Sequence, residues 1–436
     1  MAASKLTKFQ GSLVGAVLGD CIGALFEGEW FNKIEMNKIL KEVAKIEHAK
    51  SSQTGQENSP KKGHDDSLPA KKKRKGEYSF TDDTAMARSV AKSLIQHNQL
   101  NAKHLAQRFT EEYMREPFRG YGGSVATVFH GLQEQEYSDV YQPASQQFEG
   151  KGSYGNGGAM RIVPAALFAC RKGYTFEQLA DLTEKITRLT HSHPQAIQGA
   201  VLQSYAVYLA LVSDKLDVDT FIDSLISKMK PLEERMRGTL GDGSDTGAER
   251  VDGKADSNVN ADNKSGETSA VSGETNMDSS STSIDTGQQS GEATVGVGEV
   301  TSLPYCQKLE KVREFVKRQE QPPVEEITQE LGVYIAALDS VPAAIYCFLR
   351  AMNPIDELQD RNGFERTLLY SISHGGDTDT VATMAGAIAG AYYGLEALPW
   401  AWQNCSEGAS DALQDAELLW KLPNNPGAGK STKKGK

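Results

Sequence analysis

Two runs of oxygen-bearing side chains carry the chemistry this sequence can offer. Ser79-Phe80-Thr81-Asp82-Asp83-Thr84-Ala85-Met86 and His374-Gly375-Gly376-Asp377-Thr378-Asp379-Thr380 each stand where a helical pattern begins. A Thr or Asp at such a position caps the helix, and carboxylates favour its positive end. One helix needs one cap, so two acids at each of two helix starts exceed that requirement, and the surplus implies a cation. Asp and Thr oxygens are hard ligands, and the five cysteines (Cys21, Cys170, Cys306, Cys347, Cys405) form no CxxC pair. The donor set therefore selects Mg²⁺, or else Mn²⁺ or Ca²⁺, over zinc. The four carboxylates with their threonine hydroxyls suffice for two ions sharing a bridging ligand, a pair that can orient substrate oxygens and activate a water near neutral pH.

Further groups could serve the same centre. Glu27 lies just beyond a glycine-striped helix, in Gly23-Ala24-Leu25-Phe26-Glu27-Gly28; a lone helix-end Glu is ordinarily only solvated, but a central helix would bring this one to the metals or the scissile bond. Phe148-Glu149-Gly150-Lys151-Gly152-Ser153-Tyr154-Gly155-Asn156-Gly157-Gly158 is a glycine-rich loop running into an apolar helix. Consecutive free amides there form an anion nest, reinforced by the helix dipole. The interleaved Ser, Tyr and Asn would be idle in a plain linker and useful against a diphosphate, while Phe148 and Tyr154 could offer an aromatic face to a base. His191 and His193, just before Pro194, fit a metal pair, a phosphate contact or a helix boundary, with the boundary as the default.

The elements that must position these groups are helices. Leu105, Phe109 and Tyr113 repeat every four residues after an Asn101 cap, and Thr175 to Gln178 forms a capping box ahead of Leu179, Leu182, Ile186 and Leu189. Helices are also expected over 84–97, 158–171, 195–212, 326–350, 365–372 and 379–394, and convincing alternating strands are absent, which makes the fold all-α. Gly11, Gly15, Gly19 and Gly23 share one helix face, as do Ala382, Gly386 and Gly390. Each glycine costs a helix interior ~1 kcal/mol relative to alanine. Close backbone approach would compensate, placing both helices at the centre of the bundle.

Composition bounds the rest. The net charge is -11, but residues 238–300 hold twelve acids against three bases, so the remainder is nearly neutral and the charge says little about partners. That stretch, and 49–76 with its Lys71-Lys72-Lys73-Arg74-Lys75 run, cannot bury enough apolar surface to offset ordering entropy, and both are expected to be disordered insertions. The organisation expected is one domain over 5–422 with a disordered tail over 423–436. Scattered cysteines point to free, mostly buried thiols in a reducing compartment. No segment reaches the ~20 apolar residues of a membrane span, and the N-terminus lacks an export signal. The basic run is similar to a nuclear-import address and suggests nuclear entry rather than sequence-specific nucleic-acid binding.

Taken together, Gly11-Ser12-Leu13-Val14-Gly15-Ala16-Val17-Leu18-Gly19-Asp20, Thr81 to Met86, Gly150 to Arg161 and Gly375 to Thr380 resemble the ADP-ribosylhydrolase family, and the resemblance runs from about Phe9 to Gln403. Ser340 to Arg350 and Tyr370 to Ser373 are most similar to its serine-linkage branch. The resemblance implies an all-α orthogonal bundle and hydrolysis of the O-glycosidic bond of ADP-ribosylated serine, releasing ADP-ribose, with poly(ADP-ribose) and O-acetyl-ADP-ribose as further substrates. It implies two Mg²⁺ ions held by Glu27, Thr81, Asp82, Asp83, Asp377, Asp379 and Thr380, with Glu27 and Asp377 as catalytic groups. Lys151, Gly152, Ser153, Tyr154, Gly155, Asn156 and Gly157 would hold the diphosphate and inner ribose, with His191 touching the same region and Asp82 also contacting substrate; Phe148 and Ile335 would border adenine, and Gly120 the distal ribose. A monomer in nucleus and cytoplasm, with the mitochondrial matrix as a further compartment, completes the expectation. An arginine-linkage hydrolase would use similar metal motifs; a non-catalytic ADP-ribose reader would be expected to lose metal ligands, yet every Asp is present; and a metal-dependent phosphohydrolase could use the same ions but would release phosphate or a nucleotide monophosphate.

Overall fold

The computed structural model describes residues 4–28, 33–48, 77–237 and 302–424. Both expected insertions, the basic run and nearly all of the expected tail lie outside the described residues. What is described is helical, with only two isolated β-bridges and no strand among the described residues, so the all-α expectation holds. In chain order the helices are α1 (Lys5–Gly23), α2 (Met36–His48), α3 (Asp82–His97), α4 (Ala102–Arg115), α5 (Gly123–Glu134), α6 (Gln142–Ser145), α7 (Gly157–Met160), α8 (Val163–Lys172) and α9 (Phe176–Thr187). They continue with α10 (Pro194–Val212), α11 (Val218–Arg237), α12 (Pro304–Lys317), α13 (Val324–Leu331), α14 (Val341–Ala351), α15 (Gly363–Ser373), α16 (Thr378–Tyr393), α17 (Trp400–Cys405) and α18 (Ala409–Lys421). No described helix is long and apolar enough to cross a membrane, and all five cysteines are free thiols.

Local signals set many of these ends. Asn101 accepts from the His104 amide to start α4, and Thr175 with Gln178 closes a reciprocal capping box on α9. A second box, Asn362 with Glu365, starts α15.

The glycine stripes mesh. On α1, a methyl group added at Gly11 would meet the Gly390 carbonyl, one at Gly15 the Gly386 carbonyl, one at Gly19 the Ala382 carbonyl and one at Gly23 the Thr378 carbonyl. The pairing runs in opposite directions along the two chains, so α1 and α16 lie antiparallel with backbone against backbone. Both are buried along nearly their whole length. This register carries the C-terminal end of α1, with Asp20 and Gly23, to the N-terminal end of α16, with Asp377 to Thr380. The Thr378 hydroxyl locks it by donating to the Gly23 carbonyl at 2.9 Å, and the Ser12 hydroxyl does the same to Ala387 at 3.0 Å.

Two expected helices are broken. The 158–171 segment forms α7 and α8, separated at Arg161 and Ile162, with Pro164 in the first turn of α8. The 326–350 segment is α13, a non-helical stretch over 333–336, a short 3₁₀ turn at Ala337–Asp339 and α14. Gly332 stops α13 with φ +79°, and Pro342 occupies the first turn of α14, where a missing amide costs nothing.

Candidate active site

The two acidic runs start neighbouring helices and touch. Thr380 donates its hydroxyl to Asp83 Oδ1 at 3.3 Å. Asp83, Asp377 and Asp379 are buried, as is Thr380, while Thr81 and Asp82 are half-buried. Burial raises the pKa of Asp82 to about 8, with Asp20 the next cause. Burial likewise pushes Asp83 and Asp379 well above the usual carboxylate range; the neighbouring acids follow, Asp20 first for Asp83 and Asp377 first for Asp379. Glu27 stands exposed at the rim, yet the surrounding protein, then Asp377 and Asp20, raise its pKa as well.

Asp20 escaped the sequence reading as a site residue. It is fully buried on α1 and accepts the Thr81 amide at 2.9 and 3.1 Å and the Thr84 amide at 3.0 Å. A charged residue inside the otherwise apolar stretch from Gly11 to Phe26 was its one local signal. The Asp82 amide donates to the Arg119 carbonyl at 2.7 Å, and the Asp83 amide to Thr81 Oγ1 at 3.3 Å. The first turn of α3 is thus satisfied without the Asp82 and Asp83 carboxylates.

The glycine loop reaches the same centre through Asn156, whose side-chain amide donates to Asp377 Oδ2 at 2.7 Å and to Ser340 Oγ at 3.2 Å. The non-helical segment over 333–336 and the first residue of the 3₁₀ turn, expected to be helix, splint loop and acids together. Val333 accepts from the Asp377 amide at 2.8 Å, Ile335 from the Asn156 amide at 2.8 Å, and Tyr154 from the Ala337 amide at 3.1 Å. The expected nest of consecutive free amides is correspondingly narrower. Lys151 and Gly152 donate back to Phe148 and Gln147 in a turn, and Gly155 donates to Ser153 Oγ. Ser153 and Tyr154 retain amides with no acceptor among the described residues.

His191 packs under the loop: a methyl group at Gly157 would lie 2.9 Å from its Nε2, and one at Gly155 3.3 Å. Burial, then Arg161, lowers its pKa to about 3, so the ring is neutral. His193 caps α10 by accepting from the Gln195 amide at 3.1 Å, the boundary role. Phe148, Tyr154 and Ile335 are exposed apolar side chains around the loop, with the Phe148 and Tyr154 ring centroids 6.5 Å apart; the Lys151 side chain is also exposed. Gly120, with φ +86°, borders Asp82: a methyl group there would be 3.5 Å from Asp82 Oδ1. Arg119, next to it, pairs with Glu407 and Glu116 and lies over the Phe80 ring at 3.9 Å.

Among the described residues no three His, Cys, Asp or Glu side chains are drawn into a ready metal cage. The donor chemistry nevertheless fits a hard cation. Asp83 Oδ2 is buried with no hydrogen-bond partner, a state that costs ~1–3 kcal/mol and more for a charge, and the clustered carboxylates raise one another's pKa.

The whole-chain comparisons decide the family. The profile of the ADP-ribosylglycohydrolase family matches residues 1–428. This chain belongs to the ADP-ribosylglycohydrolase family. It is 36% identical to "ADP-ribosylhydrolase ARH3" of Xenopus tropicalis, covering 97% of both chains, and 36% identical to the protein of that name from Homo sapiens, over 97% of this chain and 95% of the relative. The Danio rerio relative is 37% identical over 96% of this chain and 91% of its own. A solved structure, "ADP-ribosylglycohydrolase-related protein complex", shares the fold with a TM-score of 0.52 at 19% identity, covering 96% of this chain and 98% of that one. As an ADP-ribosylglycohydrolase-family member the chain is an enzyme, a glycosyl hydrolase.

Proposed function

We propose that this enzyme hydrolyses the O-glycosidic bond of ADP-ribosylated serine on proteins, releasing ADP-ribose, with Mg²⁺ as its cofactor. The observation that carries the reading is the meeting of two acidic helix starts at Asp83 and Thr380, tied by Asn156 to a glycine loop. Thr81, Asp82, Asp83, Asp377, Asp379, Thr380 and Glu27 would hold two ions. When bound, the cations supply positive charge that holds ribose hydroxyls and lowers the pKa of water.

The chain's own residues do the rest. The Ser153 and Tyr154 amides bind the diphosphate, with neutral His191 supporting the loop from beneath. Phe148, Tyr154 and Ile335 border the adenine, and Gly120 leaves room for the distal ribose beside Asp82. Asp377, oriented by Asn156, accepts a proton from the attacking water. Glu27 handles the proton of the departing serine oxygen. Poly(ADP-ribose) and O-acetyl-ADP-ribose present the same anomeric carbon and are proposed as further substrates. The domain is proposed to span 5–422, acting as a monomer on ADP-ribosylated proteins in the nucleus and cytoplasm, with the mitochondrial matrix as a further compartment.

The test is incubation with serine- and arginine-linked ADP-ribosyl peptides, with Mg²⁺ and with EDTA, and identification of products by mass. Intact ADP-ribose from the serine peptide, abolished by EDTA, is expected. Cleavage of the arginine peptide alone would replace the serine assignment, and release of a nucleotide monophosphate would replace the bond.

A further inference from the structure

The register of α1 against α16 is fixed along its whole length by interlocking glycines, which determines where Asp377 to Thr380 stand. Nothing in that seam places α3. From α1 its start is held by one side chain, beside the Arg119 carbonyl that accepts the Asp82 amide and the Thr380 hydroxyl that meets Asp83. Asp20 accepts the amides of Thr81 and Thr84, residues that flank Asp82 and Asp83. A helix start is normally capped by the residue immediately before it; here Thr81 does so for the Asp83 amide, while Asp20 caps from another helix. With the first turn satisfied in this way, the Asp82 and Asp83 carboxylates take no part in capping.

We propose that Asp20 is a positioning residue of the cation site: its buried carboxylate, carried on the glycine-locked helix α1, clamps the first turn of α3 and so sets Thr81 to Asp83 at their distance from Asp377 to Thr380. It contacts the main chain of Thr81 and Thr84 rather than substrate. The inference rests on the metal reading given above.

Partners one step behind a metal ligand typically change metal affinity by ~10–100-fold when removed. The full chain and its Asp20→Asn, Asp20→Ala and Ser12→Ala variants are titrated with Mn²⁺ alone, followed by electron paramagnetic resonance, with amide hydrogen exchange of the 81–84 segment measured alongside. Ser12 is the control, since its hydroxyl also ties α1 to a neighbour but lies far from the acids in the α1–α16 register. Both Asp20 variants should bind Mn²⁺ at least tenfold more weakly and lose protection at Thr81 and Thr84, while Ser12→Ala binds as the wild type. Wild-type-like Mn²⁺ binding in a folded Asp20→Ala or Asp20→Asn protein overturns the inference and leaves the metal reading intact. Unfolding of both Asp20 variants overturns it by assigning the residue to the fold alone. No Mn²⁺ binding by the wild type overturns the metal reading itself, and the inference with it.

Discussion

Replacing Gly23 by alanine places one methyl group in the seam from which the site hangs. The new Cβ would lie 2.5 Å from the Thr378 carbonyl oxygen, 2.6 Å from Asp379 Cα and 2.9 Å from the Asp379 nitrogen, whereas ordinary contact begins at 3.4 Å. All three neighbours are main chain, so no side chain can swing aside; the backbones must part by roughly 0.5–1 Å. Overpacking of this kind costs about 1–3 kcal/mol, offset by less than ~1 kcal/mol of helix propensity at a terminal position. A net loss of ~1–2 kcal/mol corresponds to a Tm drop of only about 1–3 °C for a domain of this size, since the unfolding entropy grows with chain length. The displaced atoms belong to the acidic run itself, and a misplacement of ~1 Å can cost about 10²-fold in rate. Gly11→Ala is the matched comparison: its Cβ would meet Gly390, Gly394 and Leu395 main chain at 2.5–2.8 Å, at the far end of the same seam. Tm by thermal unfolding and release of ADP-ribose from a serine-linked peptide separate the two effects. Similar Tm losses with a much larger rate loss for Gly23→Ala are expected; equal rate losses in the two variants would refute the claim that this seam sets the geometry of the site.

Further outcomes follow from the same geometry. Asn156→Ala removes the side-chain donor to Asp377 and should lower kcat by ~10-fold or more, as loss of a positioned hydrogen bond does, with little change in Tm; wild-type kcat would refute the coupling. Gly157→Ala sets a methyl group 2.6 Å from His191 Cε1, and should raise KM more than it lowers kcat in steady-state assays. Asp82 is pushed up to about 8 from an ordinary carboxylate value of 3.8, so the metal-free folded protein binds more protons than the unfolded chain between these values, and this group's contribution to stability declines as pH rises through that window. His191, lowered to about 3 from 6.5, acts in the opposite sense, costing stability as pH falls from 6.5 toward 3. Since cation ligands must be deprotonated, the Tm gain on adding Mg²⁺ should be larger at pH 8 than at pH 6; a pH-independent gain would contradict this.

What could be read from the sequence was what depends on near neighbours. Asn101 and the Thr175–Gln178 box announce helix starts because donor and acceptor sit three residues apart. The two glycine stripes were legible as close-packed helices, since only backbone approach compensates their propensity cost. Their mutual register, which carries Asp20 and Gly23 to Thr378, depends on residues more than 350 positions apart, as in the Thr378–Gly23 bond, and left no trace in local pattern. The 333–337 splint was hidden for another reason. Val333, Tyr334, Ile335, Ala336 and Ala337 continue the apolar pattern of the helices around them, so periodicity ran through a segment whose role is to hydrogen-bond sideways to Asn156 and Asp377. Gly332 and Pro342 were the available signs of that break.

The electrostatics of the centre also depend on where the fold keeps its cations. Asp20, Asp82, Asp83, Asp377 and Asp379 form no ion pair with any side chain among the described residues. The nearby guanidinium groups are committed elsewhere: Arg119 to Glu407 and Glu116, and Arg161, fully buried and lowered to a pKa of about 9 by burial, to the carbonyls of Gly157, Ile186 and Thr187. An acidic cluster built for stability would place such a residue among the acids, since paired charges offset their burial. Here the balancing charge is withheld, and protons or a cation from solution must supply it. That competition ties the pH dependence of Mg²⁺ stabilisation to the same carboxylates that the proposed mechanism uses.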